Sequence, residues 1–288
     1  MYLKKLSYFS LGLLLSTNGF ALDKVIYGDD NRLDIFEVKN PLHLKLAQST
    51  AAMVPLSRIS ENGDEVIFSP SSLESDGICS DEKFAKQMTA AMCSGFLVGN
   101  QYLVTAGHCI TSAEDCQSNA WVFDYAQTSD SVSSPKMTKS QVYKCAQIIS
   151  RTLDRSTEND YALIKLDRPV SDRSPLSFRK TGKVASKQEL VVIGHPSGLP
   201  TKVSDQAFVR SNSNKYFFQA NLDTFGGNSG SAVFDSKTGM IEGILVRGER
   251  DYELDSVSNC YRPKKCEMDS CRGEDVTRIT NIKELKTL

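Results

Sequence analysis

The chain has 288 residues, enough for one large domain or two small ones. Apolar residues make up 40% and aromatics 8%, which is enough for a sizeable core. The net charge is −1, with acids and bases interspersed, so there is neither a nucleic-acid footprint nor a membrane-surface one.

Residues 1–21 read as a secretory signal peptide. Lys4 and Lys5 form the basic start, and Leu6 to Leu15 is an apolar run too short to span a bilayer. Gly19-Phe20-Ala21 puts small residues where a signal peptidase inspects the chain, so cleavage is expected after Ala21. No later segment is apolar enough to be a membrane helix, and no membrane insertion is expected. Eight cysteines, at 79, 93, 109, 116, 145, 260, 266 and 271, agree with export to the periplasm or the medium. None has the spacing of a zinc site with nearby His, and no metal or other cofactor is expected.

Residues 22–75 read as an N-terminal arm or a propeptide. They hold Val25-Ile26-Tyr27-Gly28, a turn-like Asp29-Asp30-Asn31-Arg32, and a strand candidate over Asp34 to Val38. The domain proper is expected over 76–288. Lys83 to Met88 suggests one short helical turn. From Cys93 the pattern is all-β. Ser94 to Val98 and Tyr102 to Ala106 form a hairpin across Gly99-Asn100. Strands are predicted at Trp121 to Tyr125, Gln141 to Tyr143, Ala146 to Ile149, Tyr161 to Leu166 and Leu190 to Gly194. Lys215 to Ala220, Ser231 to Phe234 and Met240 to Val246 follow, the last two joined by the Lys237-Thr238-Gly239 turn. A polar, Cys-bearing loop spans 249–273, and a strand or helix closes the chain. Many short strands without a repeat argue for a sandwich or barrel.

Three stretches carry chemistry. In Gly226-Gly227-Asn228-Ser229-Gly230-Ser231, a hydroxyl sits among small residues in a tight turn, where it can reach a substrate carbonyl. The N–H groups of Gly227 and Ser229 can converge on that carbonyl's oxygen. His108, in Thr105-Ala106-Gly107-His108-Cys109, stands at a strand end, suited to a base held in one orientation. A Cys93–Cys109 disulfide would lock its loop across the hairpin. Asp160 opens the apolar strand Tyr161 to Leu166, a costly place for an acid unless it is hydrogen-bonded. Accepting the ring N–H of His108 would satisfy it. The other histidines read as structural: His195 in a Pro/Gly loop, His43 on the surface or in the arm.

Together these motifs resemble the trypsin-like (chymotrypsin-fold) serine proteases, in the family's order His, Asp, Ser. Gly-Asn-Ser-Gly-Ser and Val25-Ile26-Tyr27-Gly28 look most like the bacterial glutamyl-endopeptidase branch. The resemblance covers roughly residues 93–248. It implies an all-β fold of two packed six-stranded barrels with a short C-terminal helix or strand. It also implies a monomeric, exported endopeptidase acting on proteins or peptides through an acyl-enzyme. Ser229 would be the nucleophile, His108 the general base and acid, Asp160 the orienting carboxylate, and Gly227 and Ser229 the oxyanion-hole donors. Val246-Arg247-Gly248 would pair with the substrate as an added strand.

Two departures matter. Asn228 stands where the digestive members carry an Asp that binds a freshly cut N-terminus, so that ion pair cannot form here, although cleavage after Lys24 would still free the Val25 amine. Asp223, six residues before Ser229, stands where trypsin has the carboxylate that binds a basic side chain, which favours Arg or Lys at the cleaved bond. Thr224 matches the glutamyl endopeptidases, and Arg247 offers a charge for an acidic side chain, but apolar Leu245 replaces their pocket His. A Glu-specific endopeptidase and an inactive protease-fold binding protein are the alternatives. Of the remaining cysteines, three lie upstream and three downstream. Full pairing therefore needs at least one bond between the C-terminal loop and the upstream half.

Overall fold

The computed structural model describes residues 25–69, 71–131 and 135–288; the predicted signal peptide lies outside them. Six strands form the first barrel: β1 (Thr50–Pro55), β2 (Cys93–Gly99), β3 (Tyr102–Thr105), β4 (Asn119–Phe123), β5 (Val142–Leu153) and β6 (Asp160–Leu166). Their order is β5-β6-β3-β2-β1-β4, with β4 returning to β5 and every pair antiparallel. Six more form the second: β7 (Glu189–Gly194), β8 (Lys202–Ser211), β9 (Phe217–Ala220), β10 (Ala232–Asp235), β11 (Ile241–Arg247) and β12 (Glu274–Arg278). They run β7-β10-β11-β12-β9-β8, and β8 closes on β7. Closure leaves no free edges in either ring.

Each strand predicted from Ser94 onward overlaps one of these elements, with one merger and with ends that differ by one or two residues. Val142-Tyr143 and Ala146 to Ile149 belong to the single long β5, which bulges at Cys145/Gln147 and Ile148/Ser150 against β6, while Gln141 ends a 3-10 turn before it. The buried character of Leu190 to Ile193 has a direct cause. Alternate residues of β7 point to opposite faces, and both faces are covered. Val191 and Ile193 join the large core shared with the first barrel, where Trp121, Phe96 and Phe123 are buried. Leu190 and Val192 face the second barrel's own core with Phe218, Val233 and Leu245.

The stretch expected as an arm or propeptide is built into the molecule. β1 is a strand of the first barrel, paired with β2 and β4. Arg32–Asp34 adds a strand to β8. A short helix, α1 (Pro41–Ala47), is capped by Asn40, whose Oδ1 accepts from Leu42 N–H at 3.0 Å. Asp34 to Val38 is a strand only at its first residue; Ile35–Glu37 is a 3-10 turn. Lys83 to Met88 forms turns rather than helix. A second helix, α2 (Ala113–Ser118), carries Cys116 to its disulfide with Cys145 on β5.

The polar 249–273 stretch folds back as the hairpin Tyr252–Asp255/Cys260–Pro263. The two-residue strand Lys265–Cys266 then pairs in parallel with Ile26–Tyr27. Cys79–Cys260 is the link between the C-terminal loop and the upstream half that the cysteine count requires, and Cys266–Cys271 closes a small local loop. After β12 the chain ends in two 3-10 turns, Ile279–Asn281 and Lys283–Lys286, anchored by buried Ile279, Ile282 and Leu285.

Candidate active site

His108 follows β3 directly. Its Nδ1 lies 2.7 Å from Asp160 Oδ2, and its main-chain N–H donates to Asp160 Oδ1 at 3.1 Å. Asp160, at the start of β6, is buried, so both of its oxygens are satisfied by one residue. Gly107 makes this approach possible. A Cβ there would sit 2.1 Å from the Thr152 carbonyl oxygen and 3.0 Å from Asp160 Oδ1. His108 Nε2 has no hydrogen-bond partner among the described residues.

Ser229 enters from the other barrel, in the turn before β10. Its carbonyl accepts Ser94 N–H at 2.8 Å. Cys109, next to His108, has its sulfur 3.6 Å from that same carbonyl oxygen and is disulfide-bonded to Cys93, as predicted. The start of β2 is thus the common neighbour of the serine turn and the histidine loop. Cys93, His108 and Cys109 bring three possible ligand atoms within 4.8 Å of one another, but both sulfurs are committed to the disulfide, so no metal set results.

Gly227 has φ +89°, a conformation glycine tolerates, and a Cβ there would meet the His195 carbonyl oxygen at 2.4 Å. Its carbonyl accepts from Ser94 Oγ at 2.8 Å. His195 stands behind this turn, fully buried and stacked on Tyr125, with its ring nitrogens 3.1 Å from Ser94 Oγ and 3.1 Å from Thr201 Oγ1. Burial, and then the Lys202 charge, push its pKa down to about 3, so the ring is neutral. Its ring packs behind the serine turn and is tied to it through Ser94. His43, expected at the surface or in the arm, is buried in α1, with Nε2 3.4 Å from the Ser236 carbonyl oxygen.

Asp223 requires a correction. Its carboxylate is turned to the N-terminal segment, where Oδ1 accepts Tyr27 N–H at 2.7 Å and Oδ2 accepts Asn31 N–H at 2.9 Å. Burial pushes its pKa up to about 7. Both oxygens are thus engaged by the main chain of Val25 to Arg32, which is drawn against the serine loop. Val25 O accepts Thr224 N–H at 3.2 Å, and buried Arg32 stacks on the Phe225 ring, 4.3 Å from its centroid.

The carboxylate beside Thr224 and Gly248 is that of Glu274, which the sequence reading missed. It is buried, and its Oε2 accepts from Thr224 Oγ1 at 3.1 Å. It packs so close to Gly248 that a Cβ there would lie 1.8 Å from Oε2. No local pattern marks it: Glu274 opens β12, Glu-Asp-Val-Thr-Arg, which is buried along its whole length although only Val276 is apolar. Asp275 in turn holds Arg247, accepting from its Nε at 2.9 Å, while Arg247 Nη2 donates to the Glu158 carbonyl at 2.8 Å. The guanidinium expected to draw an acidic substrate is therefore already engaged. Val246 is buried near the end of β11, and Gly248 follows that strand directly.

A family profile described as the trypsin-like peptidase domain matches residues 93–244, more than half of the chain. Two solved structures share the fold at 15% sequence identity. One is a Glu endopeptidase, with a TM-score of 0.51 over 91% of this chain and 98% of that one. The other is the Vibrio cholerae VesB protease, with a TM-score of 0.53 over 92% of this chain and 67% of that one. A search of curated protein sequences returned no match. Two closed antiparallel barrels, a histidine and an aspartate joined at the end of one and a Gly-Asn-Ser-Gly turn from the other agree with the profile match: the chain belongs to the trypsin-like peptidase domain family.

Proposed function

We propose that the protein is an exported serine endopeptidase. The observation that carries this reading is the 2.7 Å bond between His108 Nδ1 and Asp160 Oδ2, which points the other ring nitrogen away from the carboxylate and frees it to serve as base. Ser229 attacks the scissile carbonyl, and Nε2 of His108 takes its proton and later gives it to the leaving amine. Asp160 holds the tautomer and stabilises the imidazolium. The N–H groups of Gly227 and Ser229 receive the oxyanion, and water then hydrolyses the acyl-enzyme. Four disulfides among the described residues suit an oxidising compartment.

At the cleaved bond we infer a preference for Arg or Lys, carried by Glu274 rather than Asp223. A buried carboxylate between Thr224 and Gly248 favours a cation and disfavours an acid. The test is labelling of the processed protein by a phosphonofluoridate. A single adduct on Ser229, lost in Ser229→Ala, is expected. A folded protein that takes no label would be a binding protein on a protease fold.

A further inference from the structure

Asn228 cannot supply the carboxylate that digestive relatives use to brace the nucleophile loop. Its Oδ1 is turned inward and accepts from Ser231 Oγ at 3.2 Å. The backbone just before it is held from outside both barrels. Asp251 Oδ2 accepts Gly226 N–H at 2.7 Å. On the other side, the Gly226 carbonyl accepts Ser197 N–H at 2.5 Å. Tyr252 reinforces both contacts. Its ring lies 5.1 Å from that of Phe225, and its hydroxyl shares a 2.5 Å hydrogen bond with Ser197 Oγ.

This arrangement fixes a direction. In a trans peptide the carbonyl and the following N–H point to opposite sides, and no cis bond occurs among the described residues. With the Gly226 carbonyl held toward Ser197, the Gly227 N–H is turned the opposite way. A flip of that peptide would withdraw the Gly227 donor, and glycine on both sides lowers the steric barrier to such a flip.

We propose that Asp251 is a positioning residue for the oxyanion hole. It holds the Phe225–Gly226 peptide, one unit ahead of the peptide whose carbonyl Ser197 holds, and so pins Gly226, about which the Gly227 N–H would turn away from the developing charge, a service that Asn228 cannot give through an ion pair. The inference rests on reading Gly227 and Ser229 as the oxyanion donors. Asp251 is itself held, since its carbonyl accepts Lys264 N–H at 2.9 Å and its segment is fastened by Cys79–Cys260 and by the pairing of Lys265–Cys266 with Ile26–Tyr27. One of the two anchors of Gly226 thus comes from the 249–273 stretch, which belongs to neither ring of strands.

The test compares Asp251→Asn, Asp251→Glu and Asp251→Ala on a small ester substrate, with active sites titrated. The Asn variant keeps an acceptor oxygen in place and is expected to retain kcat. The Glu and Ala variants displace or remove it. They are expected to lose about 10–100-fold in kcat with little change in KM, part of the loss seen when an oxyanion donor is deleted. Affinity for a peptide aldehyde, whose adduct carries the oxyanion, falls by the same factor. Full kcat in the Glu variant, or an Asn variant as poor as Glu, overturns the proposal; so does a loss confined to KM. If Asp251→Ala does not fold, the Asn and Glu pair decides. Labelling of the unaltered protein at Ser229 keeps the two readings apart. With label, these outcomes judge Asp251 alone; without it, the enzyme reading fails and the proposal fails with it.

Discussion

Asp160 binds His108 twice, through the ring at 2.7 Å and through the main chain at 3.1 Å. The second contact fixes the position of the loop, and the first fixes the tautomer of the ring. Asp160→Asn is therefore expected to leave the fold intact and to lower kcat by about 10⁴-fold, because an amide can donate to Nδ1 and stabilise the wrong tautomer. Ester hydrolysis near neutral pH, with circular dichroism as the control for folding, checks this.

Two acids compete for the role of selecting the cleaved bond, and they should separate cleanly. Glu274→Gln is expected to cut kcat/KM for Arg and Lys substrates by about 30-fold or more, the scale for truncating one partner of a buried charge pair. Cleavage after Leu should change little. Profiling of a peptide library by the parent and the variant reads both. A parent that cuts mainly after Glu would refute the assignment.

Asp223 should behave as a structural residue. Asp223→Ala leaves the N–H groups of Tyr27 and Asn31 without their acceptor, so a loss of roughly 2–5 kcal/mol in folding stability is expected. Preference among substrates should not move. Urea unfolding in a Ser229→Ala background, which avoids self-digestion, measures the first, and library profiling of the active variant the second.

His195 makes a prediction in pH. Its folded-state pKa, about 3, lies below the ordinary imidazole value, so unfolding takes up a proton in the window between about 6.5 and 3. The stability it contributes is fully present above pH 6.5 and is lost as pH falls, at up to about 1.4 kcal/mol per unit for this one group. Urea midpoints from pH 4 to 8 should slope downward toward acid, and His195→Gln should flatten the slope.

The parts of the site that were legible in the sequence are those written locally. Gly107 beside His108, Asp160 ahead of an apolar strand, and Ser229 among glycines each declare a strand end or a turn within a few residues. β1 was not legible. Thr50-Ala51-Ala52-Met53-Val54-Pro55 is alanine-rich, with little β preference of its own, and becomes a strand because β2 and β4 flank it. β8 was missed because Lys202 reads as a solvent residue. It is buried, with its Nζ 2.5 Å from Asp34 Oδ1 and 2.8 Å from Gln87 Oε1. The fate of Asp223 was hidden for a similar reason, since its Tyr27 partner lies 196 residues away along the chain. No local pattern reports such a contact.

Cys79–Cys260 encloses most of both barrels in one covalent loop. A hydrolytic cut anywhere between those two cysteines leaves both pieces joined and the hairpin that bears Cys260 still fastened. For a molecule that works among copies of itself, a first cut would then open a bond without shedding a fragment. Such cuts would show as new bands only after reduction, while the nicked molecule keeps its mass on a non-reducing gel.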